Sequence, residues 1–146
     1  MSRVTGVEAI DRMPGHQVRR LQQVAVRLFS QQVGADLTPV QFATLAALAE
    51  HPGLDQRTLG ALIGYDAATI GGVIDRMQAK GLLERLPSPT DRRVRLVQAT
   101  PAGLRALEAA LPAVHDVQQQ LLAPLDGAER RQFERLCRKL LEHHLG

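Results

Sequence analysis

The sequence predicts a mainly α-helical chain with one small β-hairpin, set between helices at either end. Three observations carry this. Apolar residues recur at helical spacing over most of the 146 residues, in segments opened by Thr or Asp and closed by glycine. One stretch, residues 82–99, changes period around a proline-rich tip, "PSPTDRR". Beyond Pro101, leucines follow alternating steps of three and four, the spacing of a helix seam.

Taken in order, residues 1–15 lack the apolar core of a secretory leader and are read as a mobile N-terminal segment. Val18, Leu21, Ala25, Leu28 and Phe29 mark a first helix, stopped at Gly34. "LTPVQF" opens a second: Thr38 as N-cap, Pro39 at the first helical position, Gln41 completing a capping box. It runs through Leu45 and Leu48 to Pro52 and Gly53. Asp55 caps a short third helix whose apolar side is Leu59, Leu62 and Ile63, with Gly64 at its exit turn. Asp66 caps a fourth, ending near Lys80 and Gly81. Two helices joined by a tight glycine turn form a helix-turn-helix.

Leu82–Leu86 and Val94–Ala99 read as the two strands of the hairpin, which makes the unit, residues 37–100, a winged helix-turn-helix. Thr100-Pro101 opens the next helix, which Pro112 should kink. Its seam comprises Leu104, Leu107, Leu111, Val114, Leu121 and Leu125, facing a partner. Asp126 and Glu129 start a last helix with Phe133, Leu136, Leu140 and Leu141 on one face. Residues 16–36 and 101–146 are therefore expected to form dimerisation helices.

The helix after Asp66, "DAATIGGVIDRMQAKG", carries Gly71 and Gly72 in its middle, each costing roughly 1 kcal/mol against alanine. Ile70, Val73, Ile74 and Met77 share the face that must be core. The opposite face presents Ala68, Gly72, Asp75 and Ala79, flanked by Thr69, Gly71 and Arg76. So small an outer face lets the backbone approach a large partner, and the major groove of DNA admits a helix. The competing reading has Gly71 making room for the preceding helix; it fits Gly72 less well.

Composition narrows the function. One cysteine, Cys137, excludes an internal disulfide and fits a reducing cytoplasm. There is no apolar run long enough for a membrane span. Phe29, Phe42, Tyr65 and Phe133 are the only aromatics of the Phe, Tyr and Trp kinds, too few for binding single strands by base stacking. The net charge is +3, but the cations are sixteen arginines and two lysines. Arg85, Arg92, Arg93 and Arg95 stand against one acid, Asp91, within residues 85–95. Arginine forks suit phosphates and base edges.

The stretch from "LTPVQF" to "VQATPAG" resembles the central domain of the MarR-type transcription regulators, most specifically in the wing's D-x-R and the Thr100-Pro101-x-Gly103 helix start. With the flanking helices the resemblance covers residues 16–145. It implies a homodimer that binds palindromic double-stranded operators. Members usually repress, and often release DNA when a small aromatic or phenolic acid binds. By the same resemblance Asp91 and Arg93 are the wing motif, with Arg93 reaching the minor groove and Asp91 orienting it or pairing with Arg76. Ser88, Thr90 and Arg92 share that wing. Ala67, Ala68, Thr69, Gly71, Gly72 and Arg76 occupy the recognition helix. "DAAT" departs from relatives with serine or arginine in the first turn, so readout would rest on Thr69, methyl contacts and shape. Gln56, Arg57 and Thr58 are placed for phosphate.

His16, Arg19, Arg20 and Gln23 concentrate on the first helix. They read either as an anion pocket for an aromatic carboxylate effector or as surface charges and a dimer salt bridge. Cys137 reads as a small buried hydrophobe. His143 and His144 lack partners at a metal spacing, and no cofactor or metal is expected. No nucleophile elbow, phosphate-cradling loop or paired His/carboxylate motif is present, so the chain is not read as an enzyme. The remaining alternative, a winged helix that contacts only protein, has no need of the basic wing. An activator or an oxidant sensor is the alternative mode of regulation.

Overall fold

The computed structural model describes residues 7–146, in ten elements. They are α1 (Val7–Asp11), α2 (Pro14–Val33), α3 (Pro39–Glu50), β1 (Leu54–Asp55), α4 (Gln56–Ile63) and α5 (Ala67–Ala79). There follow β2 (Leu83–Pro87), β3 (Arg95–Ala99), α6 (Pro101–Leu121) and α7 (Gly127–Leu145). Of the segment read as mobile, residues 1–6 lie outside the described residues, Val7–Asp11 are helical, and Pro14 already opens α2.

The chain contacts divide into two units, one of them residues 29–114. Its helix ends follow local chemistry. Thr38 Oγ1 accepts from the Gln41 backbone N–H while Gln41 Oε1 accepts from Thr38 N–H, the reciprocal box, with Pro39 next to the cap. Gly34, Gly53, Gly64 and Gly81 all adopt positive φ, and Gly64 (φ 83°) makes the tight turn between α4 and α5. The core joins Leu45, Leu48, Leu59, Ile70, Ile74, Met77, Leu83 and Val97, all buried, with Val73 beside them. The inward face of α5 is thus the one its periodicity predicts.

β2 and β3 pair antiparallel, from Leu83↔Ala99 to Pro87↔Arg95. Each strand starts one residue later than the alternation suggests. Leu82 N–H goes to the Met77 carbonyl at the end of α5, and Val94 N–H goes to Asp91 O in the tip, so neither joins the ladder at its start. β1 completes a three-stranded sheet in the order β1-β3-β2, pairing Leu54↔Val97 and Asp55↔Leu96. At two residues it is too short to show a period, and it forms because β3 offers a free edge.

Two glycines are required by close approach. A Cβ on Gly60 would sit 2.7 Å from the Tyr65 carbonyl oxygen and 3.2 Å from Ile70 Cγ2. One on Gly103 would overlap the Leu82 carbonyl and come within 3.1 Å of Leu45 Cδ2. Thr100 stitches this junction. Its N–H donates to Leu82 O (3.0 Å), its hydroxyl donates to Gly81 O (2.6 Å), and the same oxygen caps Gly103 N–H (3.1 Å).

The seam read along α6 is divided. Leu107 and Val114 are buried within the chain, as is Val117, whereas Leu104 and Leu111 are exposed. At 3.6 residues per turn, positions 103, 107, 114 and 117 form the inward face, and only the neighbouring stripe remains outside. α6 continues through Pro112 to Leu121 and stops before Leu125, where Pro124 cannot extend it. In the other unit, residues 115–146 with those up to Leu28, Asp126 and Glu129 form the expected capping box of α7. No residue of α7 is buried, and Phe133, Leu136, Leu140 and Leu141 are exposed.

Candidate nucleic-acid interface

α4, α5 and the wing all belong to the unit of residues 29–114. Asp55 Oδ1 accepts from Thr58 N–H and its Oδ2 from the Thr58 hydroxyl, both at 2.7 Å. Asp66 caps α5 by accepting from Thr69 N–H at 2.7 Å. These bonds favour the charged form, so the Thr58 backbone and then its hydroxyl hold the Asp55 carboxyl below its ordinary range. Thr69 does the same for Asp66. A depressed folded-state pKa contributes stability that is complete above the ordinary carboxylate range and is lost as pH falls below that range and through the depressed value. Asp55→Ala should therefore cost about 1 kcal/mol in urea unfolding at neutral pH and less in strong acid, where the neutral carboxyl still caps but without its charge. An equal cost at both would remove the charged cap from the account.

Of the phosphate candidates, Thr58 has its hydroxyl proton committed to Asp55, and Gln56 Nε2 lies 3.5 Å from the Ala67 carbonyl, bridging α4 to α5. Arg57 is exposed and makes no ion pair among the described residues. On α5, Ala67, Ala68, Thr69 and Arg76 are exposed, and Gly71 and Gly72 are half-buried. The two glycines differ. A Cβ at Gly71 would meet the Gln56 amide nitrogen at 3.0 Å, so the preceding helix does crowd it. At Gly72 it would meet only the Arg76 guanidinium, at 3.6 Å. Nothing within the chain needs Gly72.

The wing tip is wired internally. Ser88 N–H donates to Val94 O, and Ser88 Oγ accepts from the N–H groups of Thr90 and Asp91, each at 3.3 Å. Asp91 Oδ1 accepts from Arg93 N–H at 3.0 Å and lies 3.4 Å from Arg93 Nε. Of the two partners open to Asp91, it is Arg93 that it holds. The Arg93 side chain is 92% exposed, and Arg92 and Arg95 are exposed beside it.

Arg85 departs from the basic cluster in which composition places it. Its Nη1 lies 2.7 Å from Asp75 Oδ1 and 2.8 Å from Gln78 Oε1, and Nη2 reaches the Gly71 carbonyl at 3.3 Å. It is a bracket tying β2 to α5, so that helix and wing present themselves as one surface. Strand alternation carries the signal: Arg85 shares the inward face of Leu83.

In the other unit, His16 Nε2 and Arg20 Nη1 each lie 3.5 Å from Asp11 Oδ1, and Arg19 Nη2 is 3.2 Å from His16 Nδ1. Gln23 is exposed and outside this cluster. The predicted basic group thus converges on an acid that sequence reasoning left in the N-terminal segment. Among the described residues, no group of three or more His, Cys, Asp or Glu could hold a metal ion. No helix among them is long and apolar enough to cross a membrane.

Comparisons with known proteins place this geometry. Residues 35–94 match the model of the MarR family. The HTH-type transcriptional repressor NicR of Pseudomonas putida is 33% identical over 88% of this chain and 82% of its own length. The PcaV transcriptional regulator of Streptomyces coelicolor, solved with its natural ligand, is 37% identical. It superposes with a TM-score of 0.88 over 97% of this chain and 98% of that one. A MarR variant from Escherichia coli complexed with operator DNA is 27% identical, with a TM-score of 0.86 over 94% and 99% of the two chains. A capped helix pair, a bracketed wing and identity along nearly the whole chain agree: this protein belongs to the MarR family of transcriptional regulators.

Proposed function

We propose that the chain is a homodimeric repressor that binds a palindromic double-stranded operator and is released by a small aromatic carboxylate. It acts by binding rather than catalysis, in the reducing cytoplasm that its single cysteine suits. One observation carries the DNA reading. The solvent-extended Arg93 projects from a wing bracketed to α5, a helix whose outer face is small but for Asp75, which holds the bracketing Arg85. α5 enters the major groove while Arg93 meets the minor groove, where narrowness concentrates negative potential. Arg57, Arg76 and Arg92 supply phosphate and groove contacts, with Ala67, Ala68, Thr69, Gly71 and Gly72 at the groove floor. Gln56 and Thr58 present the start of α4 to the backbone, and Ser88, Thr90 and Asp91 shape the wing.

Dimerisation is supported by the large apolar residues left exposed along α2, α6 and α7, which a second copy would cover. Footprinting on genomic DNA tests the whole reading. Two protected half-sites about one helical turn apart, roughly 34 Å, are expected; protection without two-fold symmetry would overturn the dimeric operator.

Gly72 offers a sharper test. Gly72→Ala should raise helix stability by about 1 kcal/mol, since it meets no backbone, and yet weaken operator binding. Equal or tighter binding would mean that the groove does not press on this position.

The effector reading places the ligand carboxylate at His16, Arg19, Arg20 and Gln23, where arginine grips carboxylates. That PcaV has a natural ligand and NicR is a repressor supports release by a small molecule. Arg20→Ala should leave operator affinity unchanged but blunt release, removing much of a coupling of about 1–3 kcal/mol, roughly 5- to 150-fold. Identical release of variant and wild type by every active effector in a fluorescence-anisotropy titration would move the site elsewhere.

A further inference from the structure

We infer that Tyr65, in the turn between α4 and α5, donates its hydroxyl proton to a phosphate oxygen of the operator and so fixes how deeply α5 seats. This contact rests on the reading above, in which α5 enters the major groove.

The turn places the residue. Gly64, in the left-handed region, reverses the chain after α4, and Tyr65 N–H donates to Gly60 O at 2.8 Å. The Tyr65 carbonyl lies so near Gly60 that a Cβ there would come within 2.7 Å of it, so the Tyr65 backbone is held against α4. The next residue, Asp66, is the N-cap of α5. A recognition helix meets DNA through its N-terminal residues, and Tyr65 stands directly before that end. The residue is exposed, and its hydroxyl has no hydrogen-bond partner among the described residues.

The neutral donors around it are already engaged. Gln56 Nε2 is turned back to the Ala67 carbonyl, and the Thr58 hydroxyl donates to Asp55. Asp66 accepts Thr69 N–H, and the Thr69 hydroxyl faces the same carboxylate and helps to keep it charged. Ala67 and Ala68 offer methyl groups alone. At this end of α5, among the described residues, Tyr65 is therefore the neutral side-chain donor left uncommitted.

The chemistry selects the acceptor. One O–H cannot tell base pairs apart, because every pair presents an acceptor in the major groove. Tyrosine does bond phosphate oxygens, and such contacts set position rather than sequence. The charged oxygen makes the bond stronger than a neutral acceptor would. A ring with only two side-chain torsions is also fixed at little entropic cost.

Tyr65 is the only tyrosine of the chain, so full-length protein grown with 3-fluorotyrosine carries one fluorine resonance. Titration with the duplex recovered by footprinting should move that resonance saturably. Tyr65→Phe keeps the ring, and in fluorescence anisotropy it should weaken binding about tenfold, equally across base-pair variants of the duplex. The salt slope should stay unchanged, since no cation is lost. Replacing phosphates one at a time by neutral methylphosphonate should find, in each half-site, one position that costs the wild type more than Tyr65→Phe. A resonance unmoved at saturation, wild-type affinity for Tyr65→Phe, a loss confined to one base pair, or no such phosphate overturns the contact and leaves operator binding standing. A wild type that protects no duplex brings down the groove reading and this contact together.

Discussion

Arg93→Ala weakens operator binding by roughly tenfold to a hundredfold at moderate salt and leaves thermal stability unchanged. The separation follows from the geometry. The Arg93 side chain is 92% exposed and touches only Asp91, so truncation removes no packing and strands no buried partner. What is lost is a guanidinium held out by a carboxylate toward the flank of the bound site. Because its contact is largely electrostatic, the slope of log affinity against log salt should fall by about one. Discrimination should relax at base pairs flanking each half-site, where groove width is read, and persist at the centre of each half-site. Asp91→Asn, which retains an acceptor for Arg93 N–H but not the charge, should cost less. Filter binding across a salt series measures all of this. Unchanged affinity for Arg93→Ala at moderate salt would remove the wing from recognition.

Gly103→Ala destabilises the fold by about 3 kcal/mol, the upper part of the range for overpacking. Two effects oppose each other. Inside a helix, alanine is favoured over glycine by about 1 kcal/mol, and Gly103 has no positive φ to defend. Against this, its Cβ overlaps the Leu82 carbonyl, a backbone atom already fixed by Thr100 N–H, and crowds Leu45 Cδ2 at 3.1 Å. A flexible side chain could swing away; a carbonyl in a hydrogen-bonded junction cannot. The clash wins. Urea unfolding with an unchanged slope would report it. A neutral or stabilising Gly103→Ala would show that α6 can lift off Leu82 at little cost.

The contrast between Gly103 and Gly72 shows how far a sequence can be read. Both sit inside helices, and propensity counts both as losses of equal size. Only the tertiary structure separates a glycine pressed against backbone from one that meets nothing but a flexible arginine side chain.

What the sequence determined by itself is local. Thr38, Asp55, Asp66 and Asp126 cap their helices as read, because a cap satisfies N–H groups two or three residues away and needs no distant partner. The inward face of α5 was legible for the same reason, since one helical period fixes which four side chains share the core side. The D-x-R pair came from the family resemblance, which left Asp91 with either Arg93 or Arg76; the structure puts it on Arg93, two residues on. The tertiary structure alone decided whatever joins segments far apart. Arg85, counted in the basic cluster of residues 85–95, is held by Asp75, Gln78 and Gly71. Leu107 and Val114, read as partner-facing, are already buried by their own chain. β1 exists only because β3 passes beside it, and Asp11 meets His16 and Arg20 only because α1 folds next to α2. Periodicity assigns a residue to a face, but the neighbour that covers that face, or neutralises its charge, is fixed by how the elements pack.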